Sequence, residues 1–189
     1  MIISWKNYIQ DSSKVFKDMD CDEISQSISK SIEIIVSSLK NNKPLLVCGN
    51  GGSASDAMHI TGELVGRFME ERKALNVISL SSNPAIMTAW ANDYNYETVF
   101  SRQVEAHGLE GASIICISTS GKSRNVILAA EASKKIGMKV ISMTGESGGD
   151  LNSLSDSIIK IPSKSVPLIQ QGHLISYHYL CLGIEKSFA

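Results

Sequence analysis

The stretch LLVCGNGGSASDAMHITGELVGRF, residues 45–68, joins an apolar run to a helical pattern through a glycine-rich turn. The run 45–48 predicts a strand buried on both faces, and the glycines after it supply the backbone freedom for a tight reversal. The following pattern predicts a helix over 55–70, in which His59 and Glu63 lie one turn apart on the same face. A strand that leads directly into a helix is the repeating unit of a parallel α/β sheet.

The rest of the chain repeats this alternation of short β-prone runs and helical spacing, which predicts a five-stranded parallel sheet flanked by helices. Residues 4–41 predict two helices broken near 18–22. We therefore expect an N-terminal helical extension, 1–42, and one α/β domain, 43–189. The predicted strands are 45–48, 75–80, 113–117, 139–143 and 157–161, and the predicted helices between and after them are 55–70, 84–91, 97–107, 123–136 and 167–187.

Composition narrows the class of protein. The chain has 189 residues, of which 43% are apolar and 20% charged, and its net charge of -1 gives no basic field for nucleic acid or an anionic membrane. The start MIISWKNYIQD lacks the pattern of a signal peptide, and no apolar run approaches the ~20 residues that cross a bilayer. The four cysteines are widely spaced, which favours free thiols. We expect a cytoplasmic protein with neither nucleic-acid nor membrane partners.

A turn rich in hydroxyl groups, STSGKS at 118–123, follows the predicted strand 113–117. Hydroxyls and free backbone N–H groups at the start of a helix suit a bound phosphate, and Gly121 permits close backbone approach. The pattern matches neither GxxxxGK[ST] nor GxGxxG, which disfavours a nucleoside triphosphate or a dinucleotide. Capping of the next helix is the alternative role. The candidate phosphate ligands are Ser118, Thr119, Ser120 and Ser123.

The glycine-rich turn after the first strand is a second candidate ligand site. Ligands of doubly wound sheets bind at the carboxyl ends of the strands, and the glycines leave room for a ligand beside polar side chains. Such a turn alone is weak evidence, but two of them on neighbouring strands would support each other. The candidate residues here are Asn50, Gly51, Gly52 and Ser53.

His59 and Glu63 combine an imidazole with a carboxylate, which suits zinc or a similar divalent cation. A solvated surface pair is the alternative. The last helix adds Gln170 and His178, which lie ~12 Å apart along a continuous helix and could hardly both reach one small ion. Either that helix begins later than its sequence suggests, or the ligands come from different copies of the chain.

Five segments and one residue pair carry a common pattern: CGNGGSASDAMH, GELVGR, AWANDYNYETVFSRQVEA, ISTSGKSRNVI, GMKVISMTGESGG and the pair Gln170 and His178. Together they resemble the bacterial phosphoheptose isomerases, sedoheptulose 7-phosphate isomerases of the sugar isomerase (SIS) fold. The resemblance implies a metal-dependent aldose–ketose isomerase that forms D-glycero-D-manno-heptose 7-phosphate, for nucleotide-activated heptose in lipopolysaccharide or capsule. It also implies a homotetramer with active sites between subunits, a phosphosugar substrate, and zinc or a similar divalent metal as cofactor.

The resemblance further assigns roles to single residues. The implied metal ligands are His59, Glu63, Gln170 and His178, of which Glu63 and His178 match the acid/base positions. The implied substrate contacts are Asn50, Gly51, Gly52, Ser53, Glu63, Asn92, Asp93 and Gln170 along the sugar, with Ser118, Thr119, Ser120 and Ser123 against the phosphate.

Isomerisation through an enediol needs a base, an acid and stabilisation of the developing oxyanion. Our hypothesis is that Glu63 takes the proton and His178 returns one to oxygen, with Asp93 as the rival base because a metal-bound carboxylate is a weaker one.

The identity of the sugar is a separate question. Pro167 stands where the family often has an aspartate that contacts substrate, which puts the sugar specificity in doubt. Isomerisation of another ketose phosphate is therefore an alternative function. The alternative from another class is a non-catalytic SIS-domain protein that binds a phosphosugar or a replication initiator.

Overall fold

Five parallel strands form the centre of the structure, a computed structural model that describes residues 4–189. The strand order is β2-β1-β3-β4-β5, so the chain reverses its direction of travel across the sheet between β1 and β3. Ligands of doubly wound sheets bind at such a switch point. The predicted sheet is confirmed, and its strands are β1 Leu45–Gly49, β2 Val77–Ser79, β3 Ser113–Ile117, β4 Lys139–Gly145 and β5 Ser157–Ile161.

Helices cover both faces of the sheet, as the alternating pattern predicts. Two short 3-10 helices, Tyr96–Thr98 and Gly149–Ser153, precede α5 and β5. The α-helices are α1 Trp5–Asp18, α2 Asp22–Lys40, α3 Gly52–Val65, α4 Pro84–Asp93, α5 Val99–His107, α6 Arg124–Ile136 and α7 Val166–Lys186.

Side chains alternate between two apolar cores. Leu45 and Val47 of β1 face a core shared with α2, α3 and α7, whereas Leu46 and Cys48 face a core shared with α5 and α6. Helix α2 contributes the fully buried Ile35 to the first core. Helix α2 therefore packs on the sheet and α1 packs on α7, while the proposed domain boundary at 42–43 stays a prediction.

Helix α3 is shorter than the sequence predicts, and the prediction of helix to residue 70 is wrong. The chain leaves the helix at Gly66 because another acceptor takes the next backbone N–H groups. The buried Glu185 carboxylate of α7 accepts hydrogen bonds from the N–H groups of Phe68, Met69 and Glu70, at 3.0, 2.8 and 3.1 Å. A contact more than 100 positions away in sequence thus sets the end of α3.

None of the described helices is long and apolar enough to cross a membrane. The four cysteines are free, with Cys48, Cys116 and Cys181 buried and Cys21 exposed. The buried positions of three of them agree with the expectation of free thiols in apolar surroundings.

Candidate active site

The two polar turns predicted from the sequence lie side by side, because β1 and β3 pair in register from Leu45↔Ser113 to Gly49↔Ile117. A reciprocal amide pair joins them. Asn50 Nδ2 donates to Asn125 Oδ1 at 2.8 Å, and Asn125 Nδ2 donates to Asn50 Oδ1 at 2.9 Å. The side chain of Asn50 therefore fixes the glycine-rich turn to the start of α6, which is a positioning contact the sequence did not reveal.

The turn 118–123 has the geometry of an anion site. The hydroxyl of Ser118 lies 3.0 Å from that of Ser123 and 3.5 Å from that of Ser120. Ser123 occupies the N-cap of α6 but makes no side-chain capping hydrogen bond, because its hydroxyl faces Ser118 instead. The hydroxyls and the positive end of the α6 dipole thus converge, which favours a bound phosphate over the simple capping role.

The backbone conformation and close packing at position 121 explain why this turn contains a glycine. Its φ of +66° lies in the left-handed region, and a Cβ atom there would come within 2.1 Å of the Gly148 carbonyl oxygen. The backbone of the turn packs directly on the loop after β4, and the N–H of Leu151 donates to the Gly121 carbonyl at 3.2 Å. The hydroxyl cluster consequently has a rigid backbone support.

A cleft of about 370 Å³ opens beside this turn. Thr119 and Ser120 form one side, and residues after β4 and β5 form the other. The sequence predicts no candidate among those later residues, although they follow strands at the same sheet edge. The additional lining residues include Gly145, Glu146, Ser147, Ser163, Lys164 and Val166.

Gln170 lies against the glycine-rich turn. A Cβ atom on Gly52 would meet the Gln170 amide nitrogen at 2.4 Å, so a side chain at position 52 would displace the Gln170 amide from its place against the turn. Gly51 has a φ of +55° and caps α3 without a side-chain hydrogen bond, whereas Ser53 is buried. The structure therefore brings three predicted contacts together, Gly51, Gly52 and Gln170, at the start of α3.

His59, Glu63 and His178 form a second cluster. His59 Nε2 lies 3.0 Å from Glu63 Oε1, and the rings of His59 and His178 are 5.1 Å apart between centroids. The side chains of His59 and Glu63 are 42% and 24% exposed, so the pair faces open space without being fully solvated. Phe68 packs on His178 from the loop that Glu185 holds. An imidazole–carboxylate–imidazole set of this kind can exchange protons.

Two side chains behind His59 were not predicted. The hydroxyl of the buried Tyr177 lies 2.9 Å from His59 Nδ1, and the carboxyl of Asp56 interacts with the same hydroxyl. Burial raises the pKa of Asp56 to about 6, although His59 and the Tyr177 hydroxyl act in the opposite direction. Burial, followed by the nearby Asp56 charge, raises the pKa of Tyr177, so its hydroxyl keeps its proton.

Gln170 and His178 do not meet in one copy. Helix α7 is continuous from Val166 to Lys186, so the eight positions between the two residues span ~12 Å along its axis. The late-helix alternative raised by the sequence is thereby wrong. Among residues 4–189, no group of three or more His, Cys, Asp or Glu side chains has the geometry of a metal site.

Asn92 and Asp93 lie at the exposed end of α4, and among the described residues neither makes a side-chain hydrogen bond to the hydroxyl turn or to His59, Glu63 and His178. This helix has no buried residue, and Asn92 Nδ2 donates to Asp93 Oδ1 at 3.0 Å. The segment is tied to the glycine-rich turn by the hydroxyl of Tyr96, which donates to Asn50 Oδ1 at 2.8 Å. Nothing in the sequence indicates a role for Tyr96 beyond its place near the Asn-Asp pair.

Comparison with known proteins agrees with this geometry. The family model described as the SIS domain matches residues 7–145. The phosphoheptose isomerase of Helicobacter pylori (strain P12) is 46% identical over 168 residues, which cover 89% of this chain and 88% of that protein. The phosphoheptose isomerase structure from Francisella tularensis has a TM-score of 0.92 at 34% identity, and that from Neisseria gonorrhoeae 0.89 at 33%, each over 96% of both chains.

These identities extend over nearly the whole length of the relatives. The aligned part of the chain includes the hydroxyl-rich turn as well as the His59 helix, so the similarity is not confined to a shared phosphate-binding module. A non-catalytic SIS-domain protein is accordingly the weaker reading. The chain belongs to the phosphoheptose isomerases, enzymes of the SIS-domain family.

Proposed function

We propose that this chain isomerises sedoheptulose 7-phosphate to D-glycero-D-manno-heptose 7-phosphate, the aldose used to make nucleotide-activated heptose for lipopolysaccharide or capsule. The observation that carries the proposal is the placement of His59, Glu63 and His178 in one cluster, on elements that also border a hydroxyl-rich anion site. Family membership supports the reaction class. The cytoplasmic location expected from the sequence stays a prediction.

The phosphate group binds to the turn 118–123 in this proposal. Ser118, Ser120 and Ser123 supply hydroxyl donors, and the open first turn of α6 supplies backbone N–H groups and a positive dipole. Thr119 lines the adjoining cleft, which holds the carbon chain. Anchoring the phosphate fixes the distance at which the C1–C2 end of the open-chain sugar meets the acid and base.

Proton transfer requires two groups at that end. Glu63 removes a proton from C1 of the ketose while His178 protonates the carbonyl oxygen at C2, which gives the enediol. The proton then goes to C2, and the hydroxyl at C1 loses its proton to form the aldehyde. A carboxylate and an imidazole can exchange protons in both directions near neutral pH. Asp93 remains the rival base, on an exposed helix end tied to Asn50 through Tyr96.

We further propose a zinc ion or a similar divalent cation held by His59, Glu63, Gln170 and His178. The donor set fits such an ion in its chemistry, because the Nδ1 side of His59 is engaged by Tyr177 and its Nε2 side faces Glu63. When bound, the ion would polarise the substrate carbonyl. Since one α7 separates Gln170 from His178 by ~12 Å, we propose that a second copy completes the donor set.

A homotetramer with shared active sites accounts for that arrangement. Helix α7 exposes Leu174 and Ile175, which are 41% and 50% exposed and lie one turn before His178 on the same face. Helix α3 likewise exposes Met58 and Val65 beside His59 and Glu63. Apolar side chains grouped around reactive groups favour contact with another protein surface over contact with water.

Gly62 supports the same interface. It lies between the exposed Met58 and Val65, and a Cβ atom there would meet nothing within 4 Å in one copy. The helix pays ~1 kcal/mol for this glycine relative to alanine without any gain visible inside one chain. Close approach of a second helix would explain it.

The test incubates the purified protein with sedoheptulose 7-phosphate and follows the appearance of an aldoheptose phosphate by NMR, with and without a chelator. We expect conversion that the chelator abolishes and added zinc restores. Conversion that the chelator leaves unchanged would contradict the metal role. If the protein with zinc does not convert sedoheptulose 7-phosphate but does turn over a shorter ketose phosphate, the result would instead favour a different sugar specificity, set by the residues around Val166 and Pro167.

A further inference from the structure

The side-chain amide of Asn50 lies where three elements meet. It forms a reciprocal pair with Asn125 at the start of α6, and its Oδ1 accepts a further hydrogen bond, at 2.8 Å, from the Tyr96 hydroxyl. Tyr96 belongs to the short 3-10 helix between α4 and α5. The glycine-rich turn, the start of α6 and the segment after α4 are therefore joined through one amide.

A backbone donor fixes the orientation of this amide. The N–H of Val126 donates to Asn125 Oδ1 at 3.0 Å, so the oxygen of Asn125, and not its nitrogen, lies on that side. Asn125 Oδ1 also accepts from Asn50 Nδ2, which leaves Asn50 Oδ1 to accept from Asn125 Nδ2. The Tyr96 hydroxyl is therefore the donor in its contact, because the oxygen that it meets carries no hydrogen.

These contacts leave Asn50 with a donor and no acceptor. Its Oδ1 has two lone pairs, and Asn125 and Tyr96 occupy both. Its Nδ2 carries two hydrogens, of which one is donated to Asn125, and Nδ2 makes no second hydrogen bond among residues 4–189. The hydrogen-bonding capacity that remains on Asn50 is one N–H, which suits a hydroxyl or carbonyl oxygen of a sugar.

The same hydroxyl joins the end of α4 to the glycine-rich turn. Helix α4 has no buried residue, whereas the first two residues of α5 are fully buried. Within the described part of the chain, the bond from Tyr96 to Asn50 is the hydrogen bond that links positions 84–98 to the turn 49–53. Loss of this hydroxyl would remove the polar link between the end of α4 and the turn.

Contacts inside the segment hold it together. Trp90 donates from Nε1 to Thr98 Oγ1 at 2.8 Å, and its ring stacks on that of Tyr94 with 4.2 Å between centroids. Asn92 and Asp93 end α4 and lie between the two stacked residues in sequence. We expect a segment braced in this way to move as a whole, so a bond from its 3-10 helix to the turn also places Asn92 and Asp93.

We propose that Tyr96 is a positioning residue of the active site. Its hydroxyl holds Asn92 and Asp93 near the glycine-rich turn before substrate binds, and it occupies a lone pair of Asn50 so that this amide acts as a donor. Preorganisation of this kind lowers the cost of ordering a site on binding. The inference rests on the proposed function for the identity of the sugar phosphate, whereas the hydrogen bonds that carry it do not depend on that function.

The first experiment measures the kinetics of Tyr96→Phe with sedoheptulose 7-phosphate. Tyr96 is 49% exposed and the substitution keeps its ring, so the variant should fold. We expect KM to rise about 5-fold while kcat stays within about twofold, because the substrate itself then has to order the segment.

Tyr94→Phe is the matched control. Tyr94 lies two positions away and is 67% exposed, and its hydroxyl makes no hydrogen bond among the described residues. The phenylalanine ring keeps the stack on Trp90. KM should equal that of the natural protein. An unchanged KM in Tyr96→Phe, or a rise of the same size in both variants, would overturn the proposal.

The second experiment tests the link without substrate, by hydrogen–deuterium exchange and mass spectrometry. Peptides that cover 84–98 should exchange about 5-fold faster in Tyr96→Phe than in the natural protein or Tyr94→Phe, and peptides of β1 should not change. Equal exchange in the three proteins would overturn the proposal. If the natural protein does not convert sedoheptulose 7-phosphate, the proposed function fails, and the exchange rates still decide whether Tyr96 holds the segment.

Discussion

The phosphate end of the candidate site, the turn 118–123, and its reaction end, His59 with Glu63 and His178, differ in how much one chain supplies. At the phosphate end the hydroxyls already converge at 3.0 to 3.5 Å, and glycine packing holds the backbone below them. At the reaction end the side chains are partly exposed, and Gln170 lies elsewhere on α7. An anion anchor can thus be built from loops at one sheet edge, whereas the reacting groups depend on helix packing and, in our proposal, on assembly.

Loss of the base at the reaction end should have the largest effect. We expect Glu63→Gln to lower kcat on the order of 10³- to 10⁴-fold, because it removes the proton acceptor while keeping the shape of the side chain. Binding of the phosphosugar, measured by calorimetry, should stay within a few fold because the phosphate end is untouched. Glu71→Gln, on an exposed side chain 85% accessible, is the control. Unchanged turnover in Glu63→Gln would leave Asp93 as the base.

The loop beside the reaction end should be the most sensitive element for stability. Glu185 and Arg72 both have side chains with 0% exposure and lie 3.6 Å apart, and burial opposes the Glu185 charge while the backbone N–H donors lower its pKa. Glu185→Gln should cost about 3 to 5 kcal/mol in the free energy of unfolding, because it leaves a buried guanidinium without its partner.

Urea denaturation measures this cost. Glu131→Gln, which removes a half-exposed partner of Arg124 at 3.9 Å, should change the free energy of unfolding by less than about 1 kcal/mol. Equal effects of the two substitutions would show that Glu185 does not organise the loop.

The support of the phosphate end should respond to acid. His173 of α7 is fully buried, its Nε2 lies 3.2 Å from the Thr144 carbonyl oxygen at the end of β4, and burial lowers its pKa to about 4. The unfolded chain binds a proton at this site below pH ~6.5, whereas the folded chain does not until about pH 4. The contribution of His173 to stability is therefore complete above pH ~6.5 and declines as the pH falls.

The measurement is the free energy of unfolding as a function of pH. We expect the natural protein to lose ~1.4 kcal/mol per pH unit more than His173→Gln between pH ~6 and ~4, a difference that sums to about 3 kcal/mol. Parallel curves for the two proteins would mean that His173 titrates normally in the folded state.

The smallest effect should come from one hydroxyl of the phosphate end. Ser120→Ala should raise KM about 10-fold with little change in kcat, because the lost hydrogen bond is made to substrate and transition state alike. Ser153→Ala, an exposed serine in the neighbouring 3-10 helix, is the control. A fall in kcat without a change in KM would mean that Ser120 acts in the chemical step, and it would contradict the division of roles between the phosphate end and the reaction end.

The sequence predicted the phosphate end better than the reaction end, for a physical reason. Strand, turn and helix N-terminus are local patterns, so Ser118 to Ser123 and their place beside Asn50 follow from spacing and from the topology of parallel sheets. The partners of His59 are not local. Tyr177 lies 118 positions away and reaches His59 only because α7 packs across α3, which no periodicity reveals.

The error at the end of α3 has the same origin. The pattern to residue 70 is helical, but Glu185, between 115 and 117 positions away, takes the N–H groups that would have continued the helix. The resemblance to a known family supplied His59, Glu63 and His178 as a set, and the structure brings these three together. It gave no hint of Asp56, Tyr177 or Asn125, because these residues act through other side chains.

Mixing of inactive variants tests the central claim, that the phosphate end is complete in one chain and the reaction end is completed by a second. His59→Gln and Gln170→Ala are each expected to be inactive alone. After they are mixed, dissociated and reassembled, sites that combine the intact His59 of one chain with the intact Gln170 of another should restore about a quarter of the natural activity. His59→Gln mixed with Glu63→Gln should restore none, since both residues belong to one helix. Absence of recovery in the first mixture would contradict the account and place the whole reaction end within one chain.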